Sequence, residues 1–232
     1  MSPGSPTVTL DVWRLRPGDA VRAMLASATW SRRSDRGRVA FTRLLGSGDT
    51  RFTPRGADLT RWVAVTVWQS PLDAAGAGLD PAWGRRAVGH WRALLSPLTA
   101  RGAWGGRAPF ATPGRATAAS WSGEVVSLTR ARLRVSKAWR FHRAVPTVAH
   151  RLAEVDGLQA AMGVGEAPVG FQGTLSLWRD PAAVSAYTWR QREHRDVLDR
   201  TPTERWYAED LFARFAVVDR PASLELWGDR AW

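Results

Sequence analysis

Val65-Thr66-Val67-Trp68-Gln69-Ser70-Pro71 and Leu175-Ser176-Leu177-Trp178-Arg179-Asp180-Pro181 are near copies of one another. In each, apolar residues alternate with small hydroxylated ones, the pattern of a half-buried strand, and a Trp closes the run. Ser70 or Asp180 then stands where a helix cap is wanted. Pro71 or Pro181 occupies the first helical position, where a missing N–H costs nothing. The chain therefore reads as a duplication: two αβ units, one after the other.

Working outward, Thr7 to Leu15 alternates as a first strand, and Pro17 to Trp30 has helical spacing with Ala20, Met24 and Leu25 on one face. Ser31 to Arg38 reads as a polar, basic loop. Val39 to Leu45 is a strand ended by Gly46-Ser47-Gly48, and Arg61 to Trp68 is another. Pro71 to Leu95 is predicted as a helical region broken near Gly84, and Leu98 to Trp104 as the next strand. The second unit repeats the order. Glu124 to Val135 is a strand, Ala138 to Val155 a helix disturbed at Pro146, and Leu158 to Met162 a strand ended by Gly163-Val164-Gly165. Phe171 to Trp178 is a strand, Pro181 to Arg200 a helix, and Leu211 to Val218 the closing strand.

Each half is thus β-α-β-β-α-β, the ferredoxin-like order, and the fold class is α+β. The division is 7–104 for the first half, 105–122 for a Gly- and Pro-rich linker, 123–218 for the second half and 219–232 for a tail. Two such sheets set face to face would enclose a roomy cavity, and one fused chain would do the work of a homodimer.

With 232 residues, 44% of them hydrophobic, the chain can bury a large core. No apolar run approaches the ~18 residues of a membrane-spanning helix. The opening Met1-Ser2-Pro3-Gly4-Ser5-Pro6 lacks signal-peptide architecture, so a cytoplasmic location is expected. The absence of Cys excludes disulfides, iron–sulfur clusters and a Cys nucleophile. The net charge of +12 points to acidic partners, but Lys137 is the only lysine, and the arginine excess resembles the coding bias of a GC-rich genome. The 14 Trp supply large flat apolar area, for a core or for a long or planar ligand.

His194 is the first candidate for chemistry. Val184, Tyr187, Gln191, His194 and Leu198 follow the three/four spacing that turns one helix face toward a sheet. A histidine there is either an axial haem ligand or a hydrogen-bonded core residue. His90 is expected on the corresponding helix of the first half. His142 and His150 flank Pro146. Arg130, Arg132 and Arg134 line one strand face, which suits propionates or phosphates and equally a solvated surface. Arg101-Gly102-Ala103-Trp104-Gly105-Gly106-Arg107-Ala108-Pro109-Phe110 either lines a cavity mouth or packs as a crossover between halves. Walker, dinucleotide, zinc and nucleophile-elbow signatures are absent, as is an aromatic RNA-binding strand.

Four blocks in order carry a family resemblance: Leu98 through Phe110, Ser127-Leu128-Thr129-Arg130-Ala131, Gly163-Val164-Gly165-Glu166-Ala167-Pro168, and Trp206 through Phe215. They resemble the spheroidene monooxygenase family, and the match runs from about Val8 to Val218. The resemblance implies a dimeric α+β barrel-like fold and an oxygenase that installs a keto group on an acyclic carotenoid. It implies haem b, with His194 as both catalytic residue and iron ligand, and Arg130 and Arg132 at the propionates. Arg101, Trp104, Arg107 and Trp178 are the corresponding candidates for the substrate channel. It further implies an acidic electron donor such as ferredoxin and peripheral contact with a membrane, and it makes nucleic acid an unexpected partner. Two alternatives stay open: a cofactor-free monooxygenase on the same barrel, with His194 a base or structural, and a non-catalytic binder of nucleic acid or an anionic surface.

Overall fold

The computed structural model describes residues 7–30, 37–50, 56–78, 80–110, 119–133, 155–166, 171–192 and 207–227. Eight strands form one closed, wholly antiparallel barrel: β1 (Val8–Leu15), β2 (Val39–Gly48), β3 (Ala57–Trp68), β4 (Ala87–Gly102), β5 (Val125–Leu133), β6 (Leu158–Gly165), β7 (Phe171–Trp178) and β8 (Tyr207–Asp219). Around the barrel they run β1-β3-β2-β6-β7-β5-β8-β4. Within either half the order is fourth, first, third, second, the arrangement expected of a ferredoxin-like unit. Four helices are described: α1 (Ala20–Ser27), α2 (Pro71–Ala75), α3 (Pro81–Gly84) and α4 (Pro181–Arg192).

The duplicated stretches behave as their chemistry dictates. Ser70 Oγ accepts the Asp73 N–H at 3.1 Å to cap α2, and Asp180 Oδ1 accepts the Ala183 N–H at 2.8 Å to cap α4. Each such cap contributes about 1 kcal/mol. The tryptophans that end the two strands donate to neighbouring hydroxyls, Trp68 to Thr9 at 3.0 Å and Trp178 to Ser176 at 2.8 Å.

The two Gly-x-Gly motifs do end their strands, but as paired residues of β2 and β6, which continue past Leu45 and Met162, and they pair with each other. Gly46 faces Gly165, Ser47 faces Val164 and Gly48 faces Gly163, forming one of the two seams between the halves. The other is the longer β4–β8 pairing. Close backbone approach explains the glycines: a Cβ on Gly163 would stand 2.2 Å from the Asp49 carbonyl oxygen, and one on Gly48 2.7 Å from that of Gly56.

A second difference lies in 87–95, expected as helix and observed as the first part of β4. Trp91, Ala93 and Leu95 alternate into the barrel interior, and the pairing with β1 satisfies their backbone. His90 is therefore on a strand and not, as expected, on a helix. The tertiary ladder outweighs local propensity here, because Gly84 and Pro81 leave only a single turn of helix before it. In α1, Ala23 faces the sheet and Met24 and Leu25 face solvent, the reverse of the expected core face.

Among the described residues the expected hollow between the sheets is replaced by a packed core. The bore is filled by inward side chains from every strand, among them Val8, Leu10, Val65, Leu128, Leu175 and Phe215. The 3-10 turn Glu225–Trp227, in what was read as a tail, packs Trp227 against Trp91 with ring centroids 5.3 Å apart. Two smaller clusters lie outside the barrel wall. One joins Trp13, Trp30, Trp62 and Trp83 under α1 and α3; the other joins Leu98, Val125, Trp178 and Ala216 under α4. The segments 31–36, 134–154 and 193–206, which hold most of the basic stretch, the helix expected around Pro146, and His194, lie outside the described residues.

Candidate active site

One end of the bore carries a charged network. Arg130, almost wholly buried on β5, donates to Glu209 Oε1 at 2.5 Å and to Glu166 Oε2 at 2.8 Å. Trp104 Nε1 donates to Glu166 Oε1 at 2.6 Å, and Arg43 Nε stands 3.2 Å from the same oxygen. The Arg130 guanidinium lies 5.3 Å from the Trp104 ring. Trp104-Gly105-Gly106-Arg107 is a tight turn with both glycines at positive φ (64° and 72°), a backbone that other residues adopt at a cost. Its two glycine N–H groups fork onto Glu209 at 2.9 and 2.8 Å. The glycine-rich motif is thus a stopper held shut by a carboxylate. Beside it a cavity of about 10 Å³, bounded by Leu45, Leu128, Arg130 and Gly173, has room for roughly one water.

Burial pushes the Glu209 carboxyl up, but the Gly105 and Gly106 N–H groups and Arg130 together hold it below its ordinary value. The bond from Arg220 first, opposed by burial and helped by Gln159, does the same for Glu124. A carboxylate whose folded pKa is depressed contributes stability above its unfolded pKa and loses it as pH falls through the folded one. The melting temperature is therefore expected to hold near neutrality and to fall below about pH 4.5. Glu209→Gln should lower it at neutral pH and flatten that acid limb, as a thermal-melt pH series would read.

A different environment exists on the outer face of the second sheet, beside α4. Arg101 and Phe212 are directly opposite on β4 and β8, with the guanidinium 4.2 Å from the ring centroid. Arg214, one outward position along β8, is half-buried, and its pKa is lowered by burial and then by the like charge of Arg101. Ser127, Thr129, Thr174 and Ser176 share this outward register on β5 and β7. Trp178 forms the adjoining wall under α4, its ring 5.3 Å from that of Tyr187. Burial pushes the Tyr187 hydroxyl up to about 12, so it stays protonated.

On the first half's outer face, buried Asp11 Oδ1 receives both His90 Nε2 and Arg92 Nε at 2.7 Å. The imidazole lies on Trp13, ring centroids 5.5 Å apart.

Of the residues nominated from sequence, the structure brings Trp104 and Arg130 together and puts Arg107 in the same turn, exposed. Arg132 is exposed beyond the network. Arg101 and Trp178 face outward, on the side of the sheet opposite Arg130. His194 lies outside the described residues, two positions past the end of α4. Sequence reasoning passed over Glu166, Glu209, Arg43 and Arg214. The first two follow or begin strands at barrel ends, and a lone acid opposite a buried arginine was the signal available.

A haem needs an axial donor, room for a planar macrocycle and partners for two propionates. The bore fails this test: it is packed, and Arg130 is committed to two carboxylates. Among the described residues no group of three or more metal-ligating side chains occurs, and His90, the described histidine, is engaged by Asp11. The outer face passes in part, since Arg101 lies over the Phe212 ring and Arg214 is close enough to feel its charge.

No protein-family model matches the chain. Spheroidene monooxygenase from Rhodobacter capsulatus is 31% identical over 230 residues, covering 94% of this chain and 92% of that protein. The enzyme of the same name from Cereibacter sphaeroides is 27% identical, covering 91% and 67%. Among solved structures, an anthrone oxidase-like protein aligns over 94% of this chain and 93% of its own, with 15% identity and a TM-score of 0.32. Sharing nearly a third of its residues with one such enzyme along almost the whole of both chains, this protein belongs to the spheroidene monooxygenase family and is a monooxygenase.

Proposed function

We propose that the enzyme introduces a keto group into an acyclic carotenoid or a similarly long apolar substrate, using O₂ and haem b. The reaction site is the outer face of the second sheet and not the bore. The observation that carries this placement is Arg101 over the Phe212 ring, a guanidinium beside a flat apolar surface, with a second cation, Arg214, near enough to feel its charge.

In this reading Arg101 and Arg214 would hold the propionates and His194 would supply the iron ligand. When bound, the haem supplies O₂ activation, with electrons from an acidic donor such as a ferredoxin docking on the basic surface. The chain's own residues orient and exclude. Trp178 and Tyr187 form an apolar wall that keeps water from one side. Phe212 offers a flat surface to a planar ligand, and the Ser and Thr hydroxyls of β5 and β7 give donors and acceptors near it. Two hydroxylations at one carbon, each consuming one O₂ and two electrons, give a geminal diol, and loss of water leaves the ketone.

The test is expression in a carotenoid-accumulating host under isotopically labelled O₂. New ketocarotenoid with the label in its carbonyl is the expected result; pigments unchanged by the protein would overturn the reading. The Asp11–His90 pair favours a second reading, in which an oriented imidazole acts as a base and the substrate itself reacts with O₂. Product formation by protein free of haem would select it.

A further inference from the structure

We propose that α1 docks the protein on an anionic membrane surface, its apolar residues entering the interface and the surrounding arginines meeting lipid phosphates. The helix is inverted relative to an ordinary surface helix. Its small residues pack inward, with Ala23 3% exposed against the Trp13–Trp62 cluster. Its large apolar side chains point out: Val21 is 65% exposed, Met24 48% and Leu25 67%. Positions 21, 24 and 25 form one stripe at helical spacing, and exposed Ala28 continues it. A stripe of this kind on a surface helix marks an interaction site.

Charge selects the occupant. Arg22 flanks the stripe and is exposed, as are Arg16, just before the helix, and Arg85, next to Arg86. Arg86 reaches the same Asp19 oxygen as Arg22, both at 3.8 Å, which puts the turn after α3 against this helix. The whole chain carries +12. Cations around an apolar stripe suit a surface with negative headgroups over hydrocarbon. A second copy suits it poorly, because it would set these arginines against their own counterparts. Three side chains on an eight-residue helix also fall well short of the roughly 800 Å² per partner of a standard interface. The proposal is independent of the carotenoid reading, since it concerns where the protein sits and not what it oxidises.

The experiment is flotation of the full chain with vesicles of phosphatidylglycerol and phosphatidylcholine, compared with phosphatidylcholine alone. Co-flotation with the anionic vesicles only is expected, weakening as salt is raised. The triple variant Val21→Ser, Met24→Ser, Leu25→Ser should bind at least tenfold more weakly with an unchanged melting temperature, and Arg22→Gln several-fold more weakly. Three results would overturn the proposal: no flotation of the unaltered protein, equal flotation of the triple variant, or a dimer by sedimentation equilibrium that the triple variant dissolves.

Discussion

Replacing Arg130 with methionine is expected to destabilise the barrel by about 3–5 kcal/mol, the usual consequence of removing one partner from a buried ion network. Glu166 and Glu209 would keep their partly buried charge while losing the cation that bridges them. The Gly105-Gly106 turn would lose the arginine that orients its carboxylate. At about 2–4 °C per kcal/mol for a chain of this size, calorimetry should read a fall of roughly 10 °C. Adding Glu166→Gln and Glu209→Gln should recover part of it, since no charge then stays uncompensated. Arg132→Met, two residues along the same strand but exposed, should change stability by less than about 0.5 kcal/mol. Equal effects of the two substitutions would mean that the network does not hold the bore shut.

The pair Arg101→Ala and Arg214→Ala should act on the chemistry and remove activity. Burial and the neighbouring charge of Arg101 both lower the Arg214 pKa. If the two guanidiniums hold carboxylates of the cofactor, each contact is worth about 1.5–3 kcal/mol. Their joint loss should then reduce ketone formation in the pigment assay by at least roughly 100-fold. Ketone yield unchanged in a folded double variant would remove the outer face as the reaction site.

The architecture was legible in the sequence because its signals are local. Ser70-Pro71 and Asp180-Pro181 state a helix start in chemistry that the fold cannot ignore, and both caps form. The alternation of β5, β7 and β8 likewise survives into the barrel. What was misread depended on partners far along the chain. The residues 87–95 fit a helical and a two-residue period alike, and only the β1 ladder decides between them. The Gly-x-Gly motifs read only as strand ends, because nothing local says that each is the other's partner. The direction of Arg130 was equally hidden. A row of alternating arginines reads as a basic face, yet Glu166 and Glu209, brought in by β6 and β8, turn its first member into a buried strut. A barrel wall also separates residues that sequence treats as neighbours: Arg130 faces inward while Arg101 and Trp178 face outward.

Absorption spectroscopy of the full chain titrated with haem b tests the central claim most directly. The expected result is a saturable Soret band that His194→Ala abolishes or shifts and that the Arg101→Ala, Arg214→Ala pair weakens at least tenfold in haem affinity. A protein that forms ketocarotenoid with no haem bound, or a Soret band indifferent to all three substitutions, would contradict it.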